Sequence, residues 1–418
     1  MTLGFLMTDP LASILAILAL MWLAAKVGGE IAVRLKMPAV AGELLAGVAW
    51  AAVMKLYPAH VPNIANDASM DLLGNLGIVV LMFAVGLEST VPQMLRVGLA
   101  SMRVAMLGVV LPMGLGLLGA ALFLPARTPL AVDLFIGACL CATSIAISSQ
   151  VLQESGALDS TEGRIIIGAA VLDDVLGLLV LVAVSGIAAA AATGGGVPWI
   201  SLVKTLALAF LFLGLALTVG RFGTPHLFKL ADRLRGEQVL LPLGLGFAFL
   251  LAWLGNLAGL ATIVGAYAAG LILEPAHVQA LEEREKHSLE ELVHPIVVIL
   301  APLFFVLVGA KVDPLSLMKP STLFFGVVLA ALGTLGKWVA GRGAGKDLRW
   351  TAVGWGMVPR GEVGFIFVGV GDMLRINGQP LLSPEVSAAI VTALLLTTLI
   401  GPVGLAWDLR RQARSQSA

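Results

Sequence analysis

The chain predicts an all-α, polytopic membrane protein of about thirteen transmembrane helices, and three observations carry that prediction. Hydrophobic residues make up 59% of it and charged ones only 12%, about half the roughly 25% charged share of an ordinary soluble domain. The apolar residues lie in continuous runs of roughly 17 to 25, the length that carries a helix across a hydrocarbon core about 30 Å thick. Those runs do not alternate with a period of about two, as the strands of a membrane barrel would. Backbone polar groups in lipid must be satisfied within their own segment, so helices follow.

The first run, 9–32, has no Lys/Arg-rich stretch ahead of it and no small-residue cleavage site behind it. It is therefore expected to stay as a membrane helix rather than leave as a signal peptide. Runs at 38–54, 70–88 and 99–123 follow. The fifth, 131–152, contains the polar interruption CATSIAISSQ, and the sixth, 164–192, is the longest. Runs at 199–220, 238–255 and 258–274 lead into the strongly polar stretch EPAHVQALEEREKHSLEELVHP at 274–295. Its alternating charges read as a solvated linker, and His277, His287 and His294 within it are candidates for pH sensing because histidine titrates near neutrality. The last four runs are 292–311, 321–341, 350–371, which is broken by VPRGE, and 386–407. Little chain follows, so one transmembrane unit over 1–418 without a soluble regulatory domain is expected.

An odd number of spans puts the termini on opposite sides, and the basic residues say which side is cytoplasmic. The N-terminus and the loops sharing its side hold six, namely Lys55, Arg127, Lys204, Lys311, Lys319 and Arg375, while the other side holds eighteen. The expectation is an inner-membrane protein with its N-terminus outside and its C-terminus in the cytoplasm. Lys and Arg total 26, as do Asp and Glu, so net charge argues for neither nucleic acid nor an acidic substrate. Lys337 and Arg360 fall inside runs and require compensation there.

A faint repeat runs through the chain. PAVAGELLAGV and ATIVGAYAAGL align Gly42 and Gly47 with Gly265 and Gly270, and LMFAVGLE and FFVLVGAK align Gly86 with Gly309, all at an offset of 223 residues. Seven runs separate the copies, an odd number, so the second copy is inverted. Inverted repeats are the plan of secondary transporters, with the substrate site near the midplane.

The chemistry lies in GRIIIGAAVLDDVLGLLVLVAVSG, where Asp173 and Asp174 sit deep in an otherwise uncharged run. Carboxylates at that depth cost several kcal/mol and mark ion or proton pathways. Successive helical residues point about 100° apart, so one Asp can face a neighbouring helix and the other a water-filled cavity. Burial disfavours an ionised carboxylate and a nearby ammonium favours it. A group held between these influences binds a hard cation when ionised and a proton when neutral. Competition at one site, exposed alternately to each side, suffices for antiport. Lys337 is the matching buried cation, and its natural partner is Asp173 or Asp174.

Thr143 and Ser144 in the fifth run, and the break Pro359, Arg360, Gly361, Glu362 in the twelfth, suit discontinuous helices crossing beside the acids. Arg360 and Glu362 read as a charge-compensating pair rather than as ion ligands. Glu43 and Glu88, near run ends, are secondary candidates. Cys139 and Cys141 have neither disulfide nor metal spacing and read as packing. No resident cofactor is implied.

The stretch ATSIAISSQVLQESGALDSTEGRIIIGAAVLDDVLGLLVL, together with PAVAGELLAGV, VVLMFAVGLES, PLFFVLVGAKVD and VPRGEVGFI, resembles the monovalent cation/proton antiporters of the NapA and Kef branch across nearly the whole chain. The resemblance implies a homodimer with a mobile core near 70–192 and 292–371 and dimerisation helices near 9–54, 199–274 and 386–407. It further implies that Asp174 is the ion-binding aspartate, transiently holding Na+, and that Asp173 is the neighbour paired with Lys337. An Asp-Asp pair with that lysine is similar to electrogenic sodium exchangers; Kef-type potassium systems tend to carry Gln-Asp and a cytoplasmic regulatory domain. Sodium/proton exchange is the expectation, possible also with lithium, and potassium/proton exchange is the alternative. A cation channel would pass current without moving protons. An intramembrane aspartyl protease, the remaining class, normally takes its two acids from separate helices, and an enzyme is not expected.

Overall fold

The computed structural model describes residues 10–35, 37–58, 60–88, 98–126, 128–192, 238–258, 262–273, 286–346, 348–376 and 378–416, with isolated positions at 211–224, 282 and 284. Of Glu88 and Glu362 only the backbone is described. The seventh apolar run, 199–220, and His277 thus fall largely or wholly outside the described residues.

The first four runs become α1 (Pro10–Arg34), α2 (Ala39–Leu56), α3 (Ala68–Glu88) and α4 (Leu99–Phe123). The fifth is two helices, α5 (Leu130–Cys139) and α6 (Ile145–Glu154), and the sixth is α7 (Thr161–Ala192). Then come α8 (Leu240–Leu257), α9 (Thr262–Ile272), α10 (Leu289–Lys311), the short α11 (Pro314–Met318) and α12 (Pro320–Ala340). The twelfth run is again two helices, α13 (Trp350–Gly356) and α14 (Glu362–Met373), and α15 (Pro384–Gln416) closes the chain. Among the described residues nine helices are long and apolar enough to cross a membrane. A hairpin not foreseen from sequence pairs Arg375–Ile376 with Gln379–Pro380, turning at Gly378 with φ 81°.

Most of the expected linker at 274–295 lies outside the described residues, and from Ser288 onward the structure is helix instead. That residue opens α10 with a capping box: its hydroxyl accepts from the Glu291 amide at 3.1 Å, and the Glu291 carboxylate accepts from the Ser288 amide at 3.1 Å. Glu290 and Glu291 complement the positive end of the helix, so charged sequence continues as helix there. His294 lies in α10, and the exposed His287 stands 3.5 Å from the Glu291 carboxylate.

Helices in lipid gain little from hydrophobic exclusion and associate through close packing of small residues. The repeat glycines do this in pairs. A Cβ on Gly47 would lie 2.9 Å from the Ala310 amide, and one on Gly309 would lie 3.0 Å from the Val48 amide, so α2 and α10 touch backbone to backbone. Likewise a Cβ on Gly270 would lie 2.6 Å from the Leu87 amide, and one on Gly86 would lie 3.0 Å from Gly270 Cα. Shifting residue numbers by 223 turns the first contact into the second, with the two copies exchanged. That exchange is what a two-fold relation between repeats requires.

Polar pairs collect at the two ends. Lys55 with Asp313, Lys311 with Asp71 at 2.8 Å, and Lys319 with Glu385 at 2.8 Å gather where α2, α10 and α12 meet the loops of one end. Arg349 with Asp408 at 2.5 Å marks the opposite end. Between them lies an apolar core containing Phe83, Phe135, Phe304 and Phe367, and within that core sit the buried charges.

Candidate ion-binding site

Helix α7 carries Asp173 twelve residues past Thr161, about 18 Å along the axis at roughly 1.5 Å per residue. Asp173 is fully buried, and both its carboxylate oxygens accept from Lys337 Nζ at 2.8 Å. Lys337 comes from α12 and is also fully buried. Asp174, one position on, keeps 8% of its surface accessible.

The pair is roofed by α4. A Cβ on Gly108 would lie 3.3 Å from Lys337 Nζ and 3.7 Å from Asp173 Oδ1, so a side chain there would crowd the ion pair. Four residues on, Pro112 packs against Gly336, whose Cβ would lie 2.8 Å from the proline nitrogen. Proline has no N–H to give the Gly108 carbonyl, so α4 lacks one helical bond at the level of the ion pair.

The two broken helices meet beside this cluster, and each satisfies the loose backbone of the other. The Ser144 amide donates to the Pro359 carbonyl at 2.9 Å, the Thr143 hydroxyl to the Met357 carbonyl at 3.1 Å, and the Ser148 hydroxyl to the Gly356 carbonyl at 2.6 Å. In return, Arg360 Nη1 donates to the carbonyls of Ala142 and Cys141 just past the end of α5. The Thr398 hydroxyl of α15 takes up the Arg360 carbonyl at 2.8 Å. These contacts answer the orphan groups that any helix end leaves, and a guanidinium at the C-terminal end of α5 also faces the favourable pole of its dipole.

Asp173, Asp174, Lys337 and Arg360 therefore form one buried set with two acids and two bases. Fully ionised, it is neutral. Among the described residues Arg360 Nε and Nη2 are buried without a hydrogen-bond partner, so the guanidinium contributes charge to the cluster beyond the bonds it makes to Cys141 and Ala142.

The remaining sequence candidates fall elsewhere. Thr143 and Ser144 brace the break: the Thr143 hydroxyl is spent on Met357, and the Ser144 hydroxyl accepts from the Ile147 amide at 3.5 Å as the cap of α6. The backbone of Glu362 begins α14, and its pairing with Arg360 lies outside the described residues. Glu43 is buried in α2 and, among the described residues, no ion pair joins it to the Asp173 cluster. Cys139 and Cys141 are free, buried thiols, and Cys141 Sγ donates to the Gly137 carbonyl at 3.2 Å. Sequence reasoning missed Ser148, Thr398 and Gly108; their only signals were a hydroxyl or a glycine in an apolar run.

Buried acids and bases at the meeting of two interrupted helices, in a bundle of membrane-length helices, define a cation/proton antiporter fold. The family model for the transmembrane sodium/hydrogen exchanger matches residues 14–411, and the chain belongs to that family of transporters. It is similar to the high-affinity Na+/H+ antiporter NhaS3 of Synechocystis, at 34% identity over 94% of this chain and 89% of that protein. It is also similar to the Na+/H+-K+ antiporter GerN of Bacillus cereus, at 31% identity over 96% of this chain and 97% of that one. Among solved structures, the sodium proton antiporter MjNhaP1 of Methanocaldococcus jannaschii at pH 8 shares the fold, with a TM-score of 0.67, 18% identity and coverage of 95% and 96% of the two chains.

Proposed function

We propose that the protein exchanges Na+, and Li+ where offered, for H+ across the inner membrane, N-terminus outside and C-terminus cytoplasmic, with cation and protons competing for the Asp173–Asp174 pair. The observation that carries this reading is the buried Asp173–Lys337 ion pair beside the more accessible Asp174. Asp174 is the carboxylate that meets the incoming cation. With Asp174 protonated the cluster carries one positive charge; a cation arriving there adds a second, and loss of the Asp174 proton brings the sum back to one. Lys337 holds Asp173 until the cation's field competes for it, and releasing a second proton from this set makes the exchange electrogenic. Thr143, Ser144, Arg360 and Glu362 keep the broken helices in place around the carboxylates.

The core near 70–192 and 292–371 carries the site past dimerisation helices near 9–54, 199–274 and 386–407 in a homodimer, in the manner of an elevator. The backbone contacts of Gly47 with α10 and of Gly270 with α3 join segments that this reading assigns to different sets. Proteoliposomes loaded with a pH-sensitive dye test the reading. Sodium or lithium added outside is expected to dissipate an imposed proton gradient and to move charge.

Potassium/proton exchange is the second reading, favoured by the similarity to an antiporter whose name includes K+. It uses the same residues. A response to potassium but not to sodium or lithium establishes it in place of the first, and cation current without proton movement overturns both.

A further inference from the structure

At the end of the bundle that holds the Arg349–Asp408 pair, a cavity of about 430 Å³ opens where α12, α13 and α15 converge. Its walls are aromatic, Trp338, Trp355 and Trp407, and its charges are Arg349, Arg411 and Asp408. Arg349 Nη2 donates both to the Asp408 carboxylate and to its backbone carbonyl, and among the described residues Arg349 Nη1 and the Trp338 indole N–H are buried with no hydrogen-bond partner. The guanidinium of Arg411 lies 5.6 Å above the Trp407 ring, and that of Arg342 lies 4.9 Å above the Trp350 ring. With one acid against two arginines, the lining is net positive.

A second cavity, of about 470 Å³, continues from the first along the bundle and shares Trp338 and Trp355 with it. Apart from Thr334 its other walls are apolar, among them Val327, Ala331, Leu396 and Ile400. Val327 and Ile400 are 50% and 42% exposed, so this groove opens sideways, towards the acyl chains of a bilayer. A cationic pocket rimmed by tryptophans above an apolar groove matches the two parts of a phospholipid, and tryptophan and arginine belong at headgroup level.

We propose that this paired cavity binds one anionic phospholipid, its phosphate against Arg349 and Arg411 and an acyl chain along Ala331. A free phosphate ion has no use for the groove, and a zwitterionic lipid brings no net negative charge to the pocket. The site adjoins the transport machinery, since Trp338 follows Lys337 and Trp355 precedes the break at Met357.

Native mass spectrometry of the full-length protein, released from nanodiscs holding equal phosphatidylglycerol and phosphatidylcholine, tests this. Wild type is expected to retain phosphatidylglycerol preferentially. Arg411→Ala, an exposed position, is expected to cut that preference about fivefold, and Ala331→Phe to lower retention by filling the groove. Glycerol phosphate at the same concentration is expected to give no adduct. Melting curves of both variants identify any loss due to misfolding, and each variant checks the other. Equal retention of the two lipids by wild type, unchanged retention in both variants, or an adduct with glycerol phosphate overturns the proposal. So does loss in only one variant: Arg411→Ala alone denotes an ion site without a chain, and Ala331→Phe alone an uncharged lipid.

Discussion

Lys337 Nζ stands 2.8 Å from each carboxylate oxygen of Asp173, with neither side chain exposed to solvent. Taking two charges out of water costs several kcal/mol each, and their mutual attraction repays this only when the geometry is good. The symmetric, two-oxygen contact is such a geometry. Removing one partner strands the other.

Lys337→Ala is accordingly expected to destabilise the protein by about 3–5 kcal/mol, the usual cost of leaving a buried charge unpaired. Thermal unfolding in detergent measures it. Asp173→Asn in the same chain removes the stranded charge and is expected to recover much of the loss. A double variant as unstable as the sum of the singles would show that the pair is not coupled.

Asp174→Asn is expected to behave in the opposite way. The side chain keeps its shape and loses its charge, at a position that retains some access to solvent. Dye-quench exchange is expected to fall to that of protein-free liposomes, while the melting temperature stays within a few degrees of wild type, as substitutions away from the core's packing usually do. Persisting pH-dependent exchange would remove Asp174 from the proton-coupled step.

The parts of this site legible in the sequence are those where composition conflicts with environment. Asp173, Asp174, Lys337 and Arg360 stand out because charge in an apolar run needs a reason. The breaks in the fifth and twelfth runs were legible from hydroxyls at Thr143 and Ser144 and from Pro359 and Gly361. What Arg360 does was not legible, because its partners are the main-chain carbonyls of Cys141 and Ala142, more than two hundred residues earlier, and any residue supplies a carbonyl. Gly108 was hidden for a related reason: a glycine among many in a membrane helix gains meaning only when the lysine above it is in view. The start of α10 at Ser288 was lost to charge, since EELVH reads as linker until the capping box is considered.

The pair at the other end of α10 has a pH signature. Desolvation alone would raise the Asp313 carboxyl, but the hydrogen bonds from Lys55 and Ser316 outweigh it and hold the group at about 2, below its ordinary 3.8. Because the folded value is the lower one, the stabilisation is fully present above about pH 4 and is lost as pH falls from 3.8 towards 2. The melting temperature of Lys55→Met is expected to lie below that of wild type by a constant amount at pH 5 to 7, about neutral. That gap should close as acid protonates Asp313. A gap independent of pH down to the acid limit would mean that Lys55 acts through packing.

Gly108 tests the ion pair by crowding instead of by charge. An added methyl would lie 3.3 Å from Lys337 Nζ, tighter than ordinary contact, with Asp173 Oδ1 at 3.7 Å behind it. The lysine side chain can yield slightly, so Gly108→Ala is expected to cost no more than about 1–3 kcal/mol in stability, the range for overpacking. Exchange should suffer more, because any shift of Nζ alters how firmly Asp173 is held while a cation approaches Asp174. The expected result is a lower rate with a changed pH profile in the dye-quench assay, on a protein that still melts cooperatively. Gly114, on the same helix but with no described residue within 4 Å of its would-be Cβ, is the control, and Gly114→Ala is expected to leave both rate and profile unchanged. Equal effects from the two substitutions would mean that α4 responds to added bulk in general, and the contact above Lys337 would then have no special part in exchange.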